Sequence, residues 1–118
     1  MNQTVRFQKI LRRLAIIDEG FVKDQTGLRL GLPGFLVDPK TAALTRVGAL
    51  AAIGAPGACL EWSTTAALAA GANEDEITGV LLAIAPVAGL GRITAAVPGV
   101  AAALGYDIDA ALLDPDDH

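Results

Sequence analysis

Apolar residues recur at helical spacing along most of the chain and nowhere alternate with polar ones long enough to make a strand. Over residues 3–17, Phe7, Ile10, Leu11, Leu14 and Ile17 share one side, opposite Arg6, Lys9, Arg12 and Arg13. That spacing predicts an amphipathic helix lying on a core or on a partner subunit, in preference to a membrane surface. Asp18 can cap a short helix through Phe21 and Val22 that ends near Gly27. Residues 27–37, G-L-R-L-G-L-P-G-F-L-V, break both periodicities and predict an irregular connector. Gly31, Pro33 and Gly34 suit a turn there, with Leu30, Leu32 and Phe35 as anchors.

The middle of the chain is punctuated more sharply. Asp38 followed by Pro39 is an N-cap with proline at the first helical position, and that helix should run to about Ile53 and stop at Gly54. The next begins at Pro56 and ends at Gly71, a C′ glycine. Asn73 and Glu76 form a capping-box pattern, and Glu74, Asp75 and Glu76 place negative charge at the positive end of the helix dipole. That helix should reach Ala88, followed by a G-L-G-R turn and a last helix over residues 92–104, kinked at Pro98 and closed by Gly105. The turn lacks the strand context and the lysine of a phosphate-binding loop. Residues 114–118 read as a frayed acidic tail. The expected architecture is one all-α domain over residues 1–118, a compact set of helices joined by short connections.

Composition adds pressure toward association. The hydrophobic fraction is 53%, above the roughly 45–50% of globular chains, while aromatics are 4%. Ala, Leu, Val and Ile in that proportion leave more apolar surface than a small monomer can hide, and a homo-oligomer is the outlet. The uncharged runs 47–60, 77–91 and 93–106 span 14, 15 and 14 residues, against roughly 20 for a membrane span, so they read as buried helices. The basic N-terminal segment has no continuous apolar stretch and is not expected to be a signal peptide. A net charge of −4 argues against nucleic acid as a partner. A single cysteine fits a reducing cytoplasm, and with His118 as the sole histidine neither a metal site nor a cofactor is expected.

The candidate chemistry gathers in residues 56–76. Cys59 falls in the first turn of its helix, where free N–H groups and the dipole stabilise a thiolate; the alternative is a small buried hydrophobe. Glu61 is the only acidic residue between Asp38 and Glu74. A carboxylate in apolar surroundings can serve as a general acid or base, or it can be a surface group or an arginine partner. It sits about 200° around the helix from Cys59. Ser63, at i+4 from Cys59, could hydrogen-bond the thiol or a substrate, or bond back to the carbonyl of residue 59, or face water. Trp62 suits core or interface packing or a substrate contact. Arg46 and Arg92 could each receive a substrate carboxylate or pair with an acidic group for structural reasons.

Residues 36–107 resemble the carboxymuconolactone decarboxylase family, which includes the alkyl hydroperoxidase D-like proteins. The resemblance rests on L-V-D-P-K-T-A-A-L-T-R-V-G-A-L-A-A-I-G-A-P and on E-W-S-T-T-A-A-L-A-A-G-A-N-E-D-E-I-T-G-V-L-L-A-I-A-P-V-A-G-L-G-R. It implies an all-helical fold, trimeric or hexameric assembly and sites near subunit interfaces. It also implies two chemistries: cofactor-free decarboxylation of a carboxylated lactone by a Glu and a His two residues apart, or thiol redox chemistry at a C-x-x-C pair. Glu61 matches the family carboxylate, Cys59 the second cysteine, Pro56 the position of the first, and Ser63 stands where the family has histidine. Three expectations follow: a lyase acting on a small carboxylated substrate through Glu61, a one-cysteine thiol peroxidase using Cys59, or a non-catalytic oligomeric relative.

Overall fold

The computed structural model describes residues 3–16 and 36–113, and every described element is helical. The chain divides into two units, Met1–Leu36 and Val37–His118. In the first, α1 (Gln3–Ala15) is a single amphipathic helix whose Phe7, Leu11 and Leu14 are exposed. The expected helix after Asp18, most of the connector and the acidic tail lie outside the described residues.

The second unit holds α2 (Pro39–Ala52), α3 (Gly57–Ala69), α4 (Glu74–Ala88), α5 (Leu90–Leu104) and the short α6 (Ile108–Leu112). The predicted caps are in place. The Asp38 carboxylate accepts the Thr41 N–H at 2.7 Å. Asn73 accepts from Glu76 N–H at 2.8 Å while Glu76 accepts from Asn73 N–H at 3.0 Å, completing the capping box. Gly71 and Gly105 follow α3 and α5 with positive φ.

Two features differ from the expected pattern. The G-L-G-R turn contracts to one residue: Gly89 (φ 88°, ψ 153°) joins α4 directly to α5, which starts at Leu90 instead of Arg92. Its positive φ lets a single glycine redirect the chain, so Leu90 and Gly91 are released into the helix. The second is α6, which the periodicity did not reveal because it spans only 5 residues; Asp107 caps it by accepting the Ala110 N–H at 3.0 Å. α4 and α5 continue through Pro86 and Pro98, both exposed. The carbonyls of Leu82 and Thr94, deprived of their i+4 donors, also lie on exposed positions where water can take the bond.

α2 and α5 each pack against both α3 and α4, with α3 against α5 as the most extensive contact. The core is made of small residues: Ala43, Val47 and Ala51 on α2, Leu60 and Ala67 on α3, Ile77 and Leu81 on α4, and Ala96 and Val100 on α5. Short side chains require close backbones. A Cβ on Gly99 would lie 2.5 Å from the Gly57 carbonyl oxygen and 3.0 Å from Leu60 Cβ, so α5 touches the α3 main chain there. On the other side, a Cβ on Gly48 would lie 3.0 Å from Val80 Cγ1, which brings α2 close to α4.

Lys40 Nζ and Glu76 Oε2 meet at 2.8 Å and bind the first turn of α2 to that of α4. With Gly48 opposite Val80, this means that α2 and α4 run side by side in the same direction. The Lys40 ammonium, and then the Asn73 N–H, holds the Glu76 carboxyl below its ordinary range. The same pair raises Lys40, and the Thr41 N–H lowers Asp38.

Gly99→Ala is expected to destabilise the fold by about 1–3 kcal/mol through overpacking against main chain. Gly79→Ala, on α4 with open space at its Cβ, should be neutral or stabilising by about 0.5–1 kcal/mol. Urea midpoints of the two variants against wild type measure both effects. The depressed Glu76 and Asp38 contribute stability that is present above their ordinary carboxyl range and lost as pH falls through the lowered values. The raised Lys40 contributes stability that is complete below its ordinary value and lost as pH rises through the higher one. Glu76→Gln keeps a capping-box acceptor but loses the charge. Its thermal midpoint should therefore fall less steeply than wild type's on acidification below about pH 4.3.

Candidate functional site

Helix α3 carries four of the six candidate residues, and its burial pattern decides what each can do. Pro56 opens it without a side-chain cap; its carbonyl accepts the N–H of Cys59 at 2.9 Å and that of Leu60 at 3.3 Å. Leu60, Ser63, Thr64 and Ala67 are buried, one stripe facing α2 and α5. Ala58, Cys59, Glu61, Trp62, Thr65, Ala66 and Ala69 are exposed. Apolar residues therefore occupy both faces of the helix.

Ser63 is 2% exposed, and its hydroxyl donates to the Leu60 carbonyl at 3.1 Å. It bonds to the carbonyl of residue 60, not to that of residue 59, and it does not face water. Its place in the stripe between Leu60 and Ala67 accounts for this. Glu61 is exposed on one flank of α3 and Cys59 is exposed on the other. The turn of roughly 200° between them keeps carboxylate and thiol apart. Among the described residues no side-chain hydrogen bond joins Glu61, Cys59 and Ser63 to one another.

The expectation that Cys59 is a buried hydrophobe is not met, because the residue falls off the buried stripe. Trp62 is 57% exposed, about 200° from Leu60, so it belongs to the outer face of α3 and not to the core of this chain. Arg92 is engaged structurally: its Nη1 donates to the Ile53 carbonyl at 3.0 Å and so caps the C-terminus of α2. Arg46 lies exposed on α2. Shifted titrations fall on Asp38, Lys40 and Glu76, at the first turns of α2 and α4, and have their origin in capping and in one ion pair.

Two features escaped the sequence reading. Thr64 is fully buried with its Oγ1 lacking any hydrogen-bond partner among the described residues. Its i+4 relation to Leu60 was the available signal. The other is an open, almost wholly apolar groove of about 500 Å³ between α2 and α4, with Leu44, Gly48 and Ala49 on one wall and Val80, Ile84 and Val87 on the other. The small residues that make it, Gly48, Ala49, Ala52 and Ala83, read in sequence only as helix formers or breakers. None of the six candidate residues lines it. Among the described residues no cluster of His, Cys, Asp and Glu could hold a metal ion, and no helix is long and apolar enough to cross a membrane.

Thr64→Val replaces an unpartnered buried hydroxyl with a methyl of the same shape. It should stabilise the unit by about 1–3 kcal/mol, the cost of an unsatisfied buried polar group, read as a higher urea midpoint at unchanged m-value.

Comparison of the chain with protein-family models, with curated proteins and with solved structures gives no match to any of them.

Proposed function

We propose that the chain is a homo-oligomeric helical protein of the carboxymuconolactone decarboxylase-like type that has kept the scaffold and lost the lyase chemistry. The observation that carries this reading is the division between Ser63 and Glu61. Proton transfer in such a lyase calls for a second titratable group beside the carboxylate. The position that would supply it holds a serine, buried and engaged with the Leu60 carbonyl, while Glu61 is exposed and its carboxylate has no partner among the described residues. Association is supported by the outer face of α3, where Trp62 stands among Ala58, Ala66 and Ala69, and by the exposed Leu82, Val87 and Leu90.

A second reading rests on the exposed thiol of Cys59 in the first turn of α3. There the thiolate sulfur would attack the distal oxygen of a hydroperoxide, the O–O bond would break, and the departing alkoxide would take a proton from solvent to leave as an alcohol. The resulting sulfenic acid would condense with one external thiol to release water, and a second external thiol would free Cys59 as its disulfide left. Two equivalents of external thiol are needed because the chain holds one cysteine.

The test measures three quantities on purified wild type: particle mass by light scattering, decarboxylation of carboxylated lactones and β-keto acids, and peroxide-dependent sulfenic acid. The expected result is a particle larger than one chain, with lactone turnover no higher than that of Glu61→Gln and no sulfenic acid beyond that of Cys59→Ser. Turnover that falls about 10²–10⁴-fold in Glu61→Gln would establish the lyase instead. Thiol-dependent peroxide consumption lost in Cys59→Ser would establish the second reading. Ser63→His cannot arbitrate, because a ring at a position 2% exposed overpacks the α3–α5 contact.

A further inference from the structure

We infer that the groove between α2 and α4 is filled by the N-terminal helix α1 of a second copy of this chain. This inference rests on the self-association proposed above and names the surfaces that make it.

Charge separates along the sequence. Residues 3–16 contain Arg6, Lys9, Arg12 and Arg13 and no acidic residue, whereas residues 36–113 contain seven acidic residues and three basic ones. The acidic excess is concentrated at one end of the groove. Asp38 accepts from Thr41 N–H, Thr41 itself lines the groove, and Glu76 lies one turn before Val80. Glu74 and Asp75 are exposed beside them. The one lysine at that end, Lys40, is already paired with Glu76. The mouth of the groove is therefore anionic over an apolar floor.

α1 has the complementary form. Its Phe7, Leu11 and Leu14 make an exposed apolar stripe at i, i+4 and i+7, with the basic residues on the side away from it. A helix of 13 residues is marginal in water unless such a stripe is covered. At 1.5 Å per residue it is about 20 Å long, against about 17 Å of groove from Thr41 to Ala52 along α2. The polarity follows from the charges. α1 carries its basic last turn at its C-terminal end, so an antiparallel α1 brings Arg12 to the acidic mouth formed where α2 and α4 begin. Leu14, Leu11 and Phe7 then descend along the floor toward Val87.

A second copy is the natural source, because every copy carries both the donor helix and the acceptor groove. Such a contact is head-to-tail and closes into a ring when the rotation allows.

The test is a cross-linking experiment on full-length chains in a Cys59→Ser background. One chain bears Leu11→Cys and a short tag; another bears Thr45→Cys or Ala49→Cys and a longer tag, and the two are mixed and oxidised. The expected product is a disulfide-linked heterodimer of the two tagged chains, formed several-fold more than either homodimer. No heterodimer, or homodimers alone, would overturn the inference. Light scattering of the same samples separates the two levels of failure. A particle that stays oligomeric without the heterodimer removes this interface and leaves self-association standing, while a monomer removes both. In parallel, Lys9→Glu with Arg12→Glu should raise the dissociation constant of the assembly about tenfold at low salt, with the difference shrinking as salt screens the charges. An unchanged constant would overturn the charge-based pairing.

Discussion

The contact on which the second unit depends is the approach of α5 to the main chain of α3 at Gly99. With no Cβ in the way, the α5 backbone reaches the Gly57 carbonyl and the Leu60 side chain, and the most extensive helix pairing in the unit follows. A core of Ala, Gly, Val and a few Leu and Ile residues has no long side chains to span a wide gap. Dispersion falls off over fractions of an ångström, so such a core holds only when its helices lie close. The same constraint operates on the other side, where Gly48 lets α2 approach Val80 on α4. Leu60, at the Gly99 contact, lies in the buried stripe of α3, and the candidate residues divide about it: Ser63 and Thr64 inward, Cys59, Glu61 and Trp62 outward.

Helix ends were legible because they are written in local chemistry. Asp38, the Asn73–Glu76 box, Gly71 and Gly105 act within a few residues of themselves, and each is found where its side chain or its missing Cβ predicts. The rotation of α3 was not legible, for a physical reason. With Ala58, Ala66 and Ala69 on one face and Leu60 and Ala67 on the other, its apolar residues surround the axis and point to no single core-facing side. The buried face is the one that packs against α2 and α5, and no window along α3 contains those partners. Trp62 was therefore open to a core role that it does not play, and Ser63 to a solvent-facing role that it does not play. The turn at Gly89 is a related case: G-L-G-R carries two breakers, and only three-dimensional packing shows that one is enough.

Small side chains bring a second consequence. Close helices bury their facing atoms efficiently, yet each Ala or Gly removes little apolar area, and large apolar residues remain on the outward faces among the polar ones. Leu82 and Leu90 are 72% and 76% exposed in a chain of this size. The polar groups that could offset this are gathered at helix ends, in caps and in the Lys40–Glu76 pair, so they sharpen the boundaries of the helices without covering their sides. A unit built this way is well specified internally and incompletely covered externally.

That imbalance bears on the proposed function. A catalytic carboxylate benefits from apolar surroundings that shut out water and from a second proton-handling group held nearby. Within one chain Glu61 has neither, since its flank of α3 is open and the serine two residues on is turned into the core. A lyase site here would demand more than a change of side chain at position 63, because that position lies within the buried stripe of α3. The packing that stabilises the unit thus opposes the rearrangement that a lyase site would need. Assembly demands no such rearrangement: the apolar outer face of α3, the α2–α4 groove and the basic stripe of α1 are already on the surface of the chain as it folds.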